Sequence, residues 1–254
     1  MKKNHFYISY YGNKRAEMNE IYNTLNFEGI ETVIEPYCGS CAMSYYIWTK
    51  HPNLKFVLND NNKYLFEMFE IIRDNNKLLE FENKINDEIL PIVSKGKTEY
   101  MNFVKDDHIY SWFIAHKYYS IRPKLYPIGR TSFSKLKFEN YGIVDFFKNA
   151  NIIFNHSEGV ECYEKYKNDE KNLILFDPPY LNSCNTMYQI PNGNIYEYLY
   201  NNDINKEKAR IYLILEDNWI IKLLFKNCEI KTYEKKYSLS KKKTQHNIIE
   251  QTKI

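Results

Sequence analysis

Leu173-Ile174-Leu175-Phe176 is a run of four apolar residues between Asn172 and Asp177, and it leads into Pro178-Pro179-Tyr180. A short, wholly apolar run bounded by polar residues reads as a buried strand, and in open α/β sheets ligands collect outside the carboxyl ends of the strands. Asp177 is therefore expected at the lip of a site. Each proline fixes its φ at about −65° and restricts the residue before it, so the Asp177 carboxylate and the Pro178 carbonyl become a rigid pair of acceptors. Tyr180 follows as a flat aromatic face. Two acceptors and a ring suit an exocyclic amine on a planar base, whose N–H bonds can be held while its lone pair turns toward an electrophile. The competing reading is a strand that ends in a Pro-Pro turn with a capping Asp.

The same pattern of apolar run and polar lip occurs upstream. Thr32-Val33-Ile34-Glu35 leads into Pro36-Tyr37-Cys38-Gly39-Ser40-Cys41-Ala42 and then a helical stretch carrying Tyr45, Tyr46 and Trp48. A strand, a small-residue turn and a helix start bring backbone N–H groups and a positive dipole end up to a ligand, which fits a carboxylate. Lys55-Phe56-Val57-Leu58-Asn59-Asp60 ends in an acid about 20 residues after Gly39, where nucleotide-binding βαβ units hold ribose hydroxyls. Asp60-Asn61-Asn62 is equally a helix N-cap sequence. The helix expected next shows Leu65, Phe66, Phe69 and Ile72 on one face. Runs at 151–154, 211–215, 229–237 and 246–252 bring the expected strands to seven, with a helix over 217–225 before a closing hairpin.

Together these motifs resemble those of the Dam-like N6-adenine DNA methyltransferases. Asp177-Pro178-Pro179-Tyr180 is the motif of amino-group methyltransferases. The family's Glu-Pro-Phe-x-Gly-x-Gly appears as Glu35-Pro36-Tyr37-Cys38-Gly39-Ser40-Cys41, with cysteine for the last glycine. Its aromatic-x-Gly-Gly-Lys segment maps onto Tyr10, Gly12, Asn13 and Lys14, and Asn13 tolerates the left-handed backbone of the glycine it replaces. The order of donor turn, insertion and Asp-Pro-Pro-Tyr turn matches the family too.

The resemblance implies an α/β fold, a seven-stranded Rossmann-like methyltransferase sheet with a helical target-recognition insertion. It implies methyl transfer from S-adenosyl-L-methionine to N6 of an adenine flipped out of double-stranded DNA, within DNA methylation or restriction-modification. Asp177, Pro178, Pro179 and Tyr180 are then catalytic. Tyr10, Lys14, Glu35, Tyr37, Cys38, Gly39, Ser40, Asp60 and Asp177 hold the donor, and a side chain at Cys41 could crowd it. The expected division is a donor-binding half over 1–74, an insertion over 75–140, and a catalytic half with the hairpin over 141–254. The same chemistry on RNA is an alternative, because the insertion decides the polymer. A second is a non-catalytic donor- or DNA-binding subunit of a methyltransferase pair. Protein-glutamine methylation uses a related turn beginning with Asn, and Asp177 argues against it.

With 35 basic and 32 acidic side chains the net charge is only +3, so a nucleic-acid footprint must be local. Between Lys105 and Lys137 there are seven Lys/Arg against two acids, in a stretch that breaks the αβ alternation. Helices are expected there through Leu78, Glu82, Ile85 and Ile89 and through Ile109, Trp112, Phe113 and His116. Arg122, Lys124 and Arg130, among aromatics and prolines, are candidate phosphate contacts, as are Lys241, Lys242 and Lys243 in the expected hairpin loop. A solvated basic loop is the alternative in each case. Residues 181–202 lack periodicity and are expected as a flap. The five cysteines include one CxxC without a second, so free thiols are expected and no metal site. Without an apolar leader or a long apolar span, a cytoplasmic location is expected. Monomer and dimer remain open.

Overall fold

The structure is a computed structural model that describes Ile8, Tyr10 and residues 14–118, 133–180, 193–236 and 243–252. The chain divides into two compact units, Lys14–Asn61 with Asn151–Ile254, and Met1–Asn13 with Asn62–Ala150.

The first unit is built on one seven-stranded sheet. Its strands are β1 (Thr32–Glu35), β2 (Lys55–Asn59), β3 (Asn151–Asn155), β4 (Asn172–Phe176), β5 (Arg210–Glu216), β6 (Glu229–Lys236) and β7 (Lys243–Glu250). Their order is β3-β2-β1-β4-β5-β7-β6, with β1 to β5 parallel and β7 antiparallel to both β5 and β6. This is the seven-stranded Rossmann-like sheet that the resemblance implies. Every residue of β4 is buried, as a central parallel strand covered on both faces requires. Ile34, Val57, Ile174, Phe176, Leu213 and Leu215 form the core with Tyr163, Ile195 and Leu199 from flanking helices.

Topology then places the site. The chain runs outward from β1 through β2 to β3 and returns to β4 on the other side of β1, and open α/β sheets bind ligands where the order reverses in this way. Ile34 is level with Ile174 in the parallel register, so Glu35 and Asp177 leave the same edge of adjacent strands.

Several expected elements shift. Ahead of β1 the chain forms a 3-10 turn, Arg15–Glu17, and a short helix, Met18–Tyr22. β7 begins at Lys243, paired with Lys236, so Lys243 lies in the strand and not in the hairpin loop. Lys241 and Lys242 are outside the described residues. Of the stretch read as a flap, Gly193–Asn201 is a helix burying Ile195, Tyr196 and Leu199, whose i, i+1, i+4 spacing is that of a helix face. Residues 181–192 are outside the described residues.

The second unit is helical among the described residues. Lys63–Arg73, Asn75–Asn83, Lys97–Phe103, Ile109–Tyr118 and Gly142–Asn149 surround Phe69, Phe81, Phe113, Phe138 and Phe147. Asn62 and Asp74 cap the first two helices, each accepting from backbone N–H groups of the first turn. Met68, rather than the expected Phe66, joins Leu65, Phe69 and Ile72 on the buried face of the first. Beyond the expected 75–140, this unit takes in residues 62–74 and 141–150. Arg122, Lys124 and Arg130 are outside the described residues. Among those described, no helix is long and apolar enough to cross a membrane.

Candidate active site

The turn after β1 is held from below by Asn59, the last residue of β2. Its amide donates to Pro36 O at 2.9 Å and Ser157 O at 3.0 Å, its backbone O accepts from Cys38 N at 2.8 Å, and its Oδ1 accepts from Ser157 Oγ at 2.9 Å. Asp60 Oδ2 takes the Gly39 N–H at 3.0 Å, which ties the expected ribose carboxylate to the turn. Gly39 has φ +46° and Cys41 φ +54°. Left-handed backbone at a residue with a Cβ costs roughly 1–2 kcal/mol, so the position where the family has glycine keeps that backbone under strain. The Cys41 side chain is fully buried, with Sγ 3.9 Å from Gly39 O. Cys38 and Ser40 are buried in the same turn, and burial raises the Cys38 thiol.

Glu35 serves the turn itself. Cys41 is the N-cap of the helix Ala42–Lys50 and provides no side-chain cap, which leaves first-turn N–H groups without helical partners. Glu35 Oε1 reaches across to accept from Ser44 N at 2.8 Å and also from Ser44 Oγ. Burial pushes this carboxyl up to about 8, against the two Ser44 hydrogen bonds. Tyr37 packs its ring 5.7 Å from that of Phe176, and burial raises its phenol, with the Glu158 and Asp60 carboxylates adding to the effect. Gly159, at the start of the helix Gly159–Tyr166, lets this happen: a Cβ there would lie 2.2 Å from Tyr37 Cζ.

Next to this turn, Asp177 keeps only 14% of its side chain exposed, and its Oδ2 is ion-paired with Lys14 Nζ. Burial raises the Asp177 carboxyl and Lys14 opposes that shift. The Lys14 ammonium lies 5.1 Å from the Tyr180 ring centroid, so one cation touches both ends of the Asp-Pro-Pro-Tyr turn. Pro179 O accepts from Tyr196 Oη at 3.3 Å, which ties the turn to the helix Gly193–Asn201. Tyr10 belongs to the other unit, where its ring stacks on His116 at 6.3 Å.

Sequence reasoning missed the group behind Tyr180. Tyr180 Oη lies 3.2 Å from His246 Nδ1, with the two rings edge to face at 5.2 Å. Glu17 accepts from Tyr233 Oη at 2.6 Å, pairs with Lys235 Nζ at 2.8 Å, and lies 3.8 Å from His246 Nδ1. Glu17, Tyr233, Lys235 and His246 are each less than 9% exposed. Burial pushes Glu17 up, but Lys14, Lys235 and the Tyr233 hydroxyl outweigh it and hold the carboxylate below its ordinary range. Burial, with Lys235 and Lys14, pushes His246 down to about 4, so it is neutral at physiological pH. The available signal was Tyr233 and Lys235 on one face of β6, with Tyr233 opposite His246 on β7.

The chain is similar to known proteins. Residues 10–106 match the family model described as D12 class N6 adenine-specific DNA methyltransferase. The Type II methyltransferase M.MjaIII of Methanocaldococcus jannaschii is similar at 23% identity over 239 residues, covering 83% of this chain and 80% of that protein. Among solved structures, the precorrin-6y C5,15-methyltransferase of Geobacter metallireducens aligns over 94% of this chain and 87% of its own, at 9% identity and a TM-score of 0.41.

Proposed function

We propose that the chain is an adenine-specific DNA methyltransferase that takes its methyl group from S-adenosyl-L-methionine and acts on an adenine turned out of the duplex. The observation that supports this reading is that the glycine turn and the Lys14–Asp177–Tyr180 group follow the adjacent strands β1 and β4, where the strand order reverses. The turn fits the donor. The left-handed Gly39 allows close backbone approach, the start of the helix Ala42–Lys50 offers N–H groups to a carboxylate, and Asp60 stands where ribose hydroxyls are held. When bound, the donor supplies an electrophilic methyl group on a sulfonium.

The chain's own residues do the rest. Lys14 pairs with Asp177 Oδ2 and opposes the burial that raises this carboxyl, leaving Oδ1 and the Pro178 carbonyl to accept the two N6–H bonds of adenine. Held this way, the amine turns its lone pair out of the ring toward the methyl group. The methylated ammonium is acidic and loses its proton to water or to Asp177. Stacking of the base on the Tyr180 ring returns roughly 1–3 kcal/mol of the cost of unstacking it. Arg122, Lys124 and Arg130, with Lys241 to Lys243, are the cations proposed to track phosphates. Incubation with labelled donor and matched duplex DNA or RNA tests the reading. Label in N6-methyladenine of DNA is expected; label only in RNA, or none, refutes it.

A further inference from the structure

We propose that His246 is a positioning residue that fixes the Tyr180 ring for the incoming base. The proposal rests on the role given to Tyr180 above and extends it to a residue far away in the sequence. Lys14 meets the Tyr180 ring over its face and His246 at its hydroxyl and edge, so between them they restrict both tilt and rotation. His246 cannot drift, because it is 2% exposed, its strand pairs with β5 at Glu216 and with β6 at Tyr233, and its ring packs on that of Tyr233 at 5.8 Å. Behind it, Glu17 is anchored by Tyr233 and Lys235 and follows Lys14 by three residues. The same buried carboxylate therefore braces the strand pair carrying His246 and the turn carrying Lys14. The Tyr180 hydroxyl gains a role beyond that of the bare ring.

A double-mutant cycle tests this on the full chain. His246→Leu should lower kcat on duplex DNA about tenfold with little change in KM for donor or DNA, the scale of one ordinary hydrogen bond. Tyr180→Phe should cost about as much, and combining the two should cost little more than either alone. His246→Asn, whose amide sits where Nδ1 lies, should recover most of the rate. Fully additive losses, or an undiminished rate in His246→Leu, would overturn the proposal. A readout independent of turnover is the nitrogen NMR spectrum of histidine-labelled protein, with the His246 signals assigned through His246→Asn. Tyr180→Phe should shift the His246 Nδ1 resonance, and an unmoved resonance refutes the contact even if the substrate proves to be other than DNA.

Discussion

Glu35→Gln should remove a pH dependence that the fold imposes on itself. Glu35 is buried at the end of β1 with its carboxyl raised from 4.5 to about 8, chiefly by burial. For an acid raised in the folded state, the native chain binds more protons than the unfolded one between those two values. Stability therefore falls as pH rises from about 4.5 to about 8, and the whole penalty is present above that. At about 1.4 kcal/mol for each tenfold change in proton affinity, wild type should lose roughly 2 kcal/mol from this group between about pH 6 and pH 8. His246 is displaced the opposite way, down to about 4, so its contribution rises with pH up to about its ordinary value; wild type and variant share it, and it cancels in their difference. Glutamine keeps an oxygen for Ser44 N and Oγ but carries no titrating proton. Urea unfolding at several pH values should show the variant gaining on wild type by that amount, with unchanged m-values. Glu35→Ala, which orphans the Ser44 N–H, should instead lose about 1–3 kcal/mol at every pH. Parallel stability curves for wild type and Glu35→Gln would refute the reasoning, because Glu35 would then be ionised in the folded chain.

The remaining expectations concern the two turns and the polymer. Asp177→Ala should cut methyl transfer by roughly 30- to 1,000-fold, about 2–4 kcal/mol of transition-state stabilisation, measured as single-turnover label incorporation. Gly159→Ala should displace the Tyr37 ring, costing about 1–3 kcal/mol in urea unfolding and weakening donor binding by calorimetry; an unchanged affinity would separate Tyr37 from the donor. Cys41→Gly should relieve the left-handed strain and raise stability by up to about 1 kcal/mol while leaving donor affinity unchanged; a large gain in affinity would mean that the thiol obstructs the donor. Removing Lys124 and Arg130 together should flatten the slope of log affinity against log salt by about one to two units on duplex DNA, and an unchanged slope would move the footprint elsewhere.

Local sequence decided the parts of this protein whose cause is local. Leu173 to Phe176 had to be a buried strand because four consecutive apolar side chains need cover on both faces. Pro178 and Pro179 fix their own backbone, and Gly39 marks a turn of small residues between a strand and a helix. Strand starts and ends within a residue or two followed from such runs, whereas β7 began earlier than its apolar pattern because Lys243 to Gln245 are held by pairing with β6. Tertiary structure decided what those motifs touch. Glu35 was legible as part of a donor motif, yet its described bonds go to Ser44, because a helix capped by cysteine needs a carboxyl from elsewhere. Gly159 reads as an ordinary helix start until the Tyr37 ring occupies the space of its missing side chain. Glu17 and Tyr233 stand 216 residues apart, and no periodicity connects them. They meet because β7 inserts antiparallel between β5 and β6 and carries His246 to the back of Tyr180. A buried carboxylate is stable only where cations and hydroxyls converge on it, and only the folded chain brings Lys235, Tyr233 and Lys14 to the same place.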